Sequence, residues 1–429
     1  MAVFYSSSMI RTRPAHTAVT AGNFGTKKLS LSTKAPYPDT KIPNIALPRS
    51  FELVQVQQLT RHGARYPTLA EIDELKRVYK LAKPYVPSKW LVEDLVDARN
   101  AGLLAESGRQ EIARIAERSL RHYNQILKEA IGSSGSVRFV SSERQRTQDS
   151  AREFWRVLST INAKLPPVTV LPQANDTILS MHHICPVWLR DSALVQQHVV
   201  VRELQKFDSI NGRAIQEKIK RRLGSAKTAF TMDDVQTMYT LCAYDISLYQ
   251  EPNYWCTLFD STTADYLELR KDIYYSRMYG PYGANINKRM ACALMTDMLR
   301  DIDLATTAAD SRRAVSTFRF GHAETVMFVS ALLRLEDTLG SVNTPIVGNM
   351  TLADARQRGF KTTMLAPFSA NLILELYRHG QQTYYFRLLL NEQPIRLSVC
   401  DDDICQLDIL RNELAAHVGC NFNQICKVE

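Results

Sequence analysis

No stretch of the 429-residue chain approaches the roughly 18 uninterrupted apolar residues of a membrane-spanning helix. Its best apolar segments are short, as in ETVMFVSALLRL (324–335), so no transmembrane segment is expected. Acids are missing from residues 1–38, where Arg11, Arg13, Lys27, Lys28 and Lys34 supply +5 of the net +9. The basic balance is therefore local, and charge alone leaves nucleic acid, an acidic membrane face and a phosphorylated small molecule open as partners. None of the eight cysteines stands in a Cys-x-x-Cys pair, and HHIC (182–185) has no second ligand pair at finger-like distance, which weakens any zinc reading. Internal repeats and low-complexity tracts are absent too, which argues against a solenoid or a disordered scaffold.

What is present reads as a globular α/β protein. ELVQVQQLT (52–60) alternates Val54 and Val56 with glutamines at strand period. Segments 136–142, 166–172, 315–320, 384–391 and 393–400 are further strand candidates, and 106–131 carries one broad apolar helical face. Helix and strand alternate at both ends of the chain, whereas 175–304 shows helical patterns only. The expected fold is α/β, a mainly parallel sheet flanked by helices with an inserted, mostly helical second domain. Residues 23–174 and 305–429 would form one discontinuous α/β domain, 175–304 the insertion, and 1–22 a basic leader or disordered tail. An even cysteine count fits disulfides in an oxidising compartment, hence a secreted or endomembrane location, and sequons at Asn175 and Asn349 would permit glycosylation there.

The chemistry concentrates in QQLTRHGARYPTLAE (57–71). Arg61, His62 and Arg65 follow a strand directly, at the carboxyl edge where open α/β sheets bind ligands. Two planar guanidinium forks beside one imidazole suit a phosphoryl group, whose oxygens they hold while a neutral ring nitrogen attacks phosphorus. Gly63 is expected to let the backbone turn, and Pro67 to stiffen the exit. A lone arginine or histidine is more often a surface ion pair, but five fixed positions of R-H-G-x-R-x-P arise by chance in such a length only about once in ten thousand.

RHGARYP resembles the signature of the histidine acid phosphatases, a branch of the histidine phosphatase superfamily. The resemblance implies that His62 is a nucleophile forming a phosphohistidine, with Arg61 and Arg65 holding phosphate. It also implies a third arginine, a second histidine and an acid. ERQRTQDSAREFW (143–155) is similar to the family's R-T-x-x-S-A segment and selects Arg146, with Arg144 as the neighbouring competitor. GHAETV (321–326) opens an amphipathic run, where a helix amino end would face an anion. His-Ala-Glu, where most of the family carries His-Asp, is characteristic of the multiple inositol polyphosphate phosphatase subgroup. By that match His322 completes the phosphate pocket and Glu324 is the proton donor, although an isolated Glu there would read as a dipole-stabilised helix carboxylate. The blocks FGTKKLSLSTKAPY, GPYGANINKRMACALMTDM, PFSANLILELY, RLLLNEQPI and GCNFNQIC look like that subgroup as well, from about residue 23 to the end.

The implied partner is an anionic small molecule, a myo-inositol polyphosphate such as phytate, and not nucleic acid. No metal or other cofactor is implied, and oligomeric state is left open. The basic run EKIKRRLGSAK (217–227) is either an outer-phosphate cradle or a solvated helix face. An acidic optimum is expected if Glu324 titrates near its ordinary value of about 4.3. The alternatives are a broad acid phosphatase, also active on 2,3-bisphosphoglycerate, and a non-catalytic polyanion-binding module.

Overall fold

The alternating segment after residue 50 forms β1 (Phe51–Arg61), the strand on which the rest of the sheet is built. The computed structural model of the protein describes residues 29–38, 50–132, 137–161, 165–225, 227–250, 254–307, 316–417 and 419–428. The proposed leader, Ser136 and Val315 lie outside them. Seven further strands follow: β2 (Val137–Ser142), β3 (Thr169–Leu171), β4 (Ser316–Gly321), β5 (Asn371–His379), β6 (Thr383–Leu390), β7 (Gln393–Ile395) and β8 (Ile404–Gln406). They join one mixed sheet in the order β3-β2-β4-β1-β5-β6-β7, with β8 also paired to β6. The half from β3 to β1 is parallel, and β5 to β8 are added antiparallel.

Two strand expectations need correction. β5 lies in a block not marked as a strand, because NLILELY is buried on both faces and so loses the polar alternation that marks a half-exposed strand. The segment 393–400 pairs only as far as Ile395. Its later residues turn back through the Cys400–Cys405 disulfide into β8.

Helices cover both faces. α1 (Leu69–Ala82) follows the loop after β1, and α2 (Glu106–His122), α3 (Asn124–Gly132) and α4 (Gln145–Leu158) share one side of the sheet. The single helix expected over 106–131 breaks at Tyr123, whose hydroxyl donates instead to buried Glu375 at 2.8 Å. Phe154 of α4 packs on Phe318 of β4, which stacks in turn on Phe139 of β2. Each such buried ring stabilises the layer by about 1.5–3 kcal/mol.

Between β3 and β4 the described residues form helices and no strand: α5 (Pro186–Val195), α6 (Val201–Phe207), α7 (Arg213–Leu223), α8 (Met232–Tyr249), α9 (Ser261–Met278) and α10 (Cys292–Thr307). The chain then re-enters the sheet at β4 and leaves through α11 (Ala323–Leu333). α10 lies on the sheet and explains the glutamines of β1. Gln55 donates to the Asp301 carbonyl and Gln57 to the Met298 carbonyl, each at 2.8 Å. Gln57 also accepts from Arg319, a fully buried cation paired with Asp297 and Asp301. The alternation of β1 thus marks a buried polar layer rather than a wet face. Cys185–Cys426 and Cys292–Cys420 fasten the C-terminal tail to α5 and α10, and Cys242–Cys256 pins α8 to the turn after it. All eight cysteines are paired, the state of an oxidising environment.

Candidate active site

Parallel pairing sets the geometry of the site. Arg61 is registered with Gly321 across β1 and β4, so the next residues, His62 and His322, leave the sheet side by side. The His62 amide donates to the Gly321 carbonyl at 3.1 Å, and the two imidazoles stand 5.8 Å apart, edge to face. On the other flank of β4, Ser141 is registered with Phe320, which brings the loop after β2 and the first turn of α4 to the same edge. All six residues singled out in the sequence therefore sit at the carboxyl ends of three adjacent parallel strands, Arg61 as the last residue of β1 and the others on the loops and helix starts that follow.

The loop after β1 is seated by direct backbone contact. A Cβ on Gly63 would lie 2.5 Å from the Gly108 carbonyl oxygen, and one on Gly108 would lie 2.2 Å from that of Ala64. Gly63 does not adopt positive φ, so its small size serves close approach to α2 and not the turn expected from the sequence. Glu111, one turn further along α2, accepts from the Ala64 amide at 3.3 Å and the Ser369 hydroxyl at 2.8 Å, while Ser150 of α4 accepts from the Gly63 amide.

His62 Nδ1 lies 2.9 Å from its neighbour's carbonyl, that of Gly63. A carbonyl only accepts, so Nδ1 carries the proton and Nε2 is left with its lone pair. Burial, then the charges of Arg146, Arg61 and Arg65, hold the ring well below the ordinary histidine value, so it is neutral. His322 is depressed likewise, first by burial, and its Nε2 is 3.0 Å from the Ser142 hydroxyl.

The arginines are held from behind. Arg61 Nη1 donates to the Thr33 and Ala366 carbonyls, both at 2.6 Å, and its guanidinium lies over Phe368. Arg65 Nη1 donates to the Tyr66 carbonyl at 2.8 Å and to Glu71 at 3.0 Å. Yet the Nε of Arg61, of Arg65 and of Arg146 is buried without a hydrogen-bond partner among the described residues. Burial and the charge of Arg65 push both Arg61 and Arg146 down to about 10. Arg65 is instead held up, because Glu71 outweighs its burial. Such an arrangement favours whatever brings negative charge and acceptor oxygens.

Arg144, the competitor of Arg146, is the exposed N-cap of α4, and it is Arg146 whose charge reaches His62 most strongly. Glu324 lies in the first turn of α11. Burial would raise its carboxyl, but His182, His322 and Arg61 outweigh that and hold it down to about 2. In the free protein it is therefore a carboxylate at mildly acidic to neutral pH.

The basic run 217–227 is largely occupied elsewhere. Lys218 and Arg222 pair with Asp260, Arg222 also donates to the Leu258 carbonyl, and Lys220 reaches Glu217. The cation that sequence reasoning missed is Lys34, 2.8 Å from Glu71, and burial and Arg65 bring it down to about 7. It stands in the quoted block STKAPY, so the signal was there, but nothing in the spacing linked it to Arg65. Lys34 and Lys271 line a cavity of about 320 Å³ together with Thr33, Tyr275 and two carboxylates, Glu71 and Glu74. His182 and His183 were missed as well, their HHIC segment having been weighed only for zinc.

A histidine flanked by arginines at the strand end, opposite a second histidine, is the arrangement of a phosphate-transferring family, and the comparisons agree. The chain belongs to the histidine phosphatase superfamily (branch 2), whose model matches residues 52–391, and it is an enzyme of that class. It is 25% identical over 414 residues to multiple inositol polyphosphate phosphatase 1 of Gallus gallus, covering 89% of this chain and 86% of the relative. An acid phosphatase of Schizosaccharomyces pombe is also 25% identical, over 94% of this chain and 92% of its own. Among solved structures, the Bifidobacterium longum multiple inositol polyphosphate phosphatase in complex with inositol hexasulfate superposes with a TM-score of 0.72 at 18% identity. That match covers 94% of this chain and all of the other.

Proposed function

We propose that the protein removes phosphates from myo-inositol polyphosphates such as phytate through a phosphohistidine. Nε2 of His62 attacks phosphorus, the P–O bond to the inositol breaks, and Glu324 gives its proton to the departing oxygen. Water then attacks the phosphohistidine, passing a proton to Glu324 as the N–P bond breaks. Arg61, Arg65, Arg146 and His322 hold the phosphoryl oxygens. One observation carries this reading: a neutral imidazole whose tautomer leaves Nε2 open stands among three guanidinium groups whose Nε donors are buried and unpartnered among the described residues. The incoming phosphate's negative charge opposes the cations that hold Glu324 ionised, so substrate binding raises the acid toward the protonated form it needs.

The substrate class rests on relatives named as inositol polyphosphate phosphatases. The catalytic domain is read as discontinuous, with 175–304 inserted, since all six residues lie outside that span while Tyr275 and His182 within it supply the facing wall. Disulfide pairing supports a secreted or lumenal location, and exposed Asn175 and Asn349 suit glycosylation there. A second reading, a broad phosphomonoesterase acting also on 2,3-bisphosphoglycerate, is favoured by the acid phosphatase match. Incubation with phytate, 2,3-bisphosphoglycerate and simple monoesters at mildly acidic pH in chelator, with inositol phosphate isomers resolved, separates the two. A kcat/KM for phytate no better than for simple esters removes the first.

A further inference from the structure

Glu71 stands behind Arg65, and its own helix fixes its place. Thr68 and Glu71 form the capping box of α1, in which the Thr68 amide and hydroxyl donate to Glu71 Oε2 at 2.8 and 3.0 Å. Arg65 Nη1 docks on that same oxygen and on the Tyr66 carbonyl, so both of its hydrogens are spent. Arg61 is built alike, its Nη1 taken by two carbonyls, and each arginine keeps its Nε edge for a bidentate contact with phosphate. The backing differs in charge. Arg61 and Arg146 make no ion pair among the described residues, whereas Arg65 has a carboxylate 3.0 Å behind it. On its other oxygen Glu71 takes Lys34, at 2.8 Å. The segment carrying Lys34 is tied down on both sides, by the Leu31 and Ser32 amides donating to Thr363 (2.9 and 2.7 Å) and by the Ala35 carbonyl accepting from the Phe368 amide at 2.9 Å. The Lys34 ammonium and the Arg61 guanidinium share the Phe368 ring, 6.0 and 4.5 Å from its centre. One carboxylate thus bridges two cations beside the phosphate cage.

We propose that Glu71 is a positioning residue that, acting through Arg65, limits the grip of the cage on phosphate and so lets the product leave, and that Lys34 offsets part of its charge. Three guanidinium groups and two imidazoles that stabilise a phosphoryl group in transfer also hold the inorganic phosphate left after hydrolysis. A fixed negative charge behind one of the arginines repels that anion without touching it. Burial would raise Glu71, but Arg65 and Lys34 outweigh it and hold the carboxyl well below its ordinary range, so the charge is present. Lys34 approaches the carboxylate from the side away from Arg65's contact and sets how much of the repulsion the phosphate feels.

The inference rests on Arg65 holding phosphate, and the test separates the two. Ki for inorganic phosphate is read against p-nitrophenyl phosphate at one mildly acidic pH, where Lys34 is an ammonium, with calorimetric binding of phosphate as a second measurement. Ki is expected to rise about threefold or more in Lys34→Met and to fall by about as much in Glu71→Gln, whose amide oxygen still accepts from Arg65. In the double variant the two charges go together, so Ki should return to within about twofold of wild type. A role confined to holding Arg65 in place predicts the opposite sign: Glu71→Gln would bind phosphate more weakly, and the double variant no better than Lys34→Met. Either of those results, an unchanged Ki in Lys34→Met, or a Lys34→Arg variant as weak as Lys34→Met would overturn the proposal. Arg65→Gln is the control: an unchanged Ki there removes Arg65 from the phosphate cage of the proposed function, whereas a raised Ki there without the compensation between Lys34 and Glu71 defeats this inference alone.

Discussion

The two halves of the sheet treat buried arginine in opposite ways. In the antiparallel half Arg387 donates to fully buried Glu375 at 2.6 Å, and Arg118 grips Glu392. Despite burial, these acids hold both guanidinium groups above their ordinary value. At the carboxyl edge of the parallel half Arg61 and Arg146 face other cations, are pushed below it, and keep an unpartnered Nε. A buried charge with its counter-ion in place holds a fold together, whereas a buried charge without one is a standing demand for a ligand.

The largest test of this contrast is at its centre. His62→Ala should lower phosphate release by about a thousandfold or more while circular dichroism and Tm stay near wild type, since the ring carries the proposed covalent step. Next come the arginines. Arg146→Ala should cost about 10²–10³-fold in kcat/KM and leave thermal stability unchanged or slightly higher, because it relieves repulsion with Arg65 and Arg61. Arg387→Ala should do the reverse. Glu375 would keep Tyr123, Tyr377 and His122 but lose its buried guanidinium partner, at a cost of about 3–5 kcal/mol in denaturant unfolding, with activity per folded molecule retained. Should both variants lose stability equally, the contrast collapses.

A substitution at the seam sharpens it. Gly108→Ala forces a methyl group to within 2.2 Å of the Ala64 carbonyl, where only backbone can give way. It is expected to cost about 1–3 kcal/mol and to reduce activity beyond that, as the loop carrying His62 shifts. A last effect concerns pH. Asp245 and Glu336 are buried with one oxygen unpartnered each, and burial raises them to about 8 and about 7. At these two acids the folded state therefore binds more protons than the unfolded chain between about pH 4 and those values, so their contribution to stability falls as pH rises across that window. The urea midpoint of the wild type relative to that of Asp245→Asn should therefore fall between pH 5 and pH 8, a comparison that cancels the opposite trend of the buried neutral histidines.

Much of the site could be read from the sequence because its residues are fixed by local spacing. Arg61, His62 and Arg65 lie within one loop, and His322 and Glu324 within one helix start. Parallel register, invisible in any single segment, is what brings the two groups together. What escaped the reading depends on contacts distant in the chain. Lys34 meets Glu71 only because the N-terminal segment crosses the site, and His182 reaches α11 through a bond between Thr325 and Leu179. Among the strands, β1 announced itself by alternation, although its glutamines turned out to be buried beneath α10. β5 did not, since a strand buried on both faces lacks the period by which strands are recognised.

The stereochemical course at phosphorus tests the central claim most directly, using a phosphate ester made chiral with oxygen isotopes and a diol acceptor to trap the product. Two successive in-line displacements, by Nε2 of His62 and then by the acceptor oxygen, predict net retention of configuration. Net inversion would mean a single direct transfer and would contradict the account.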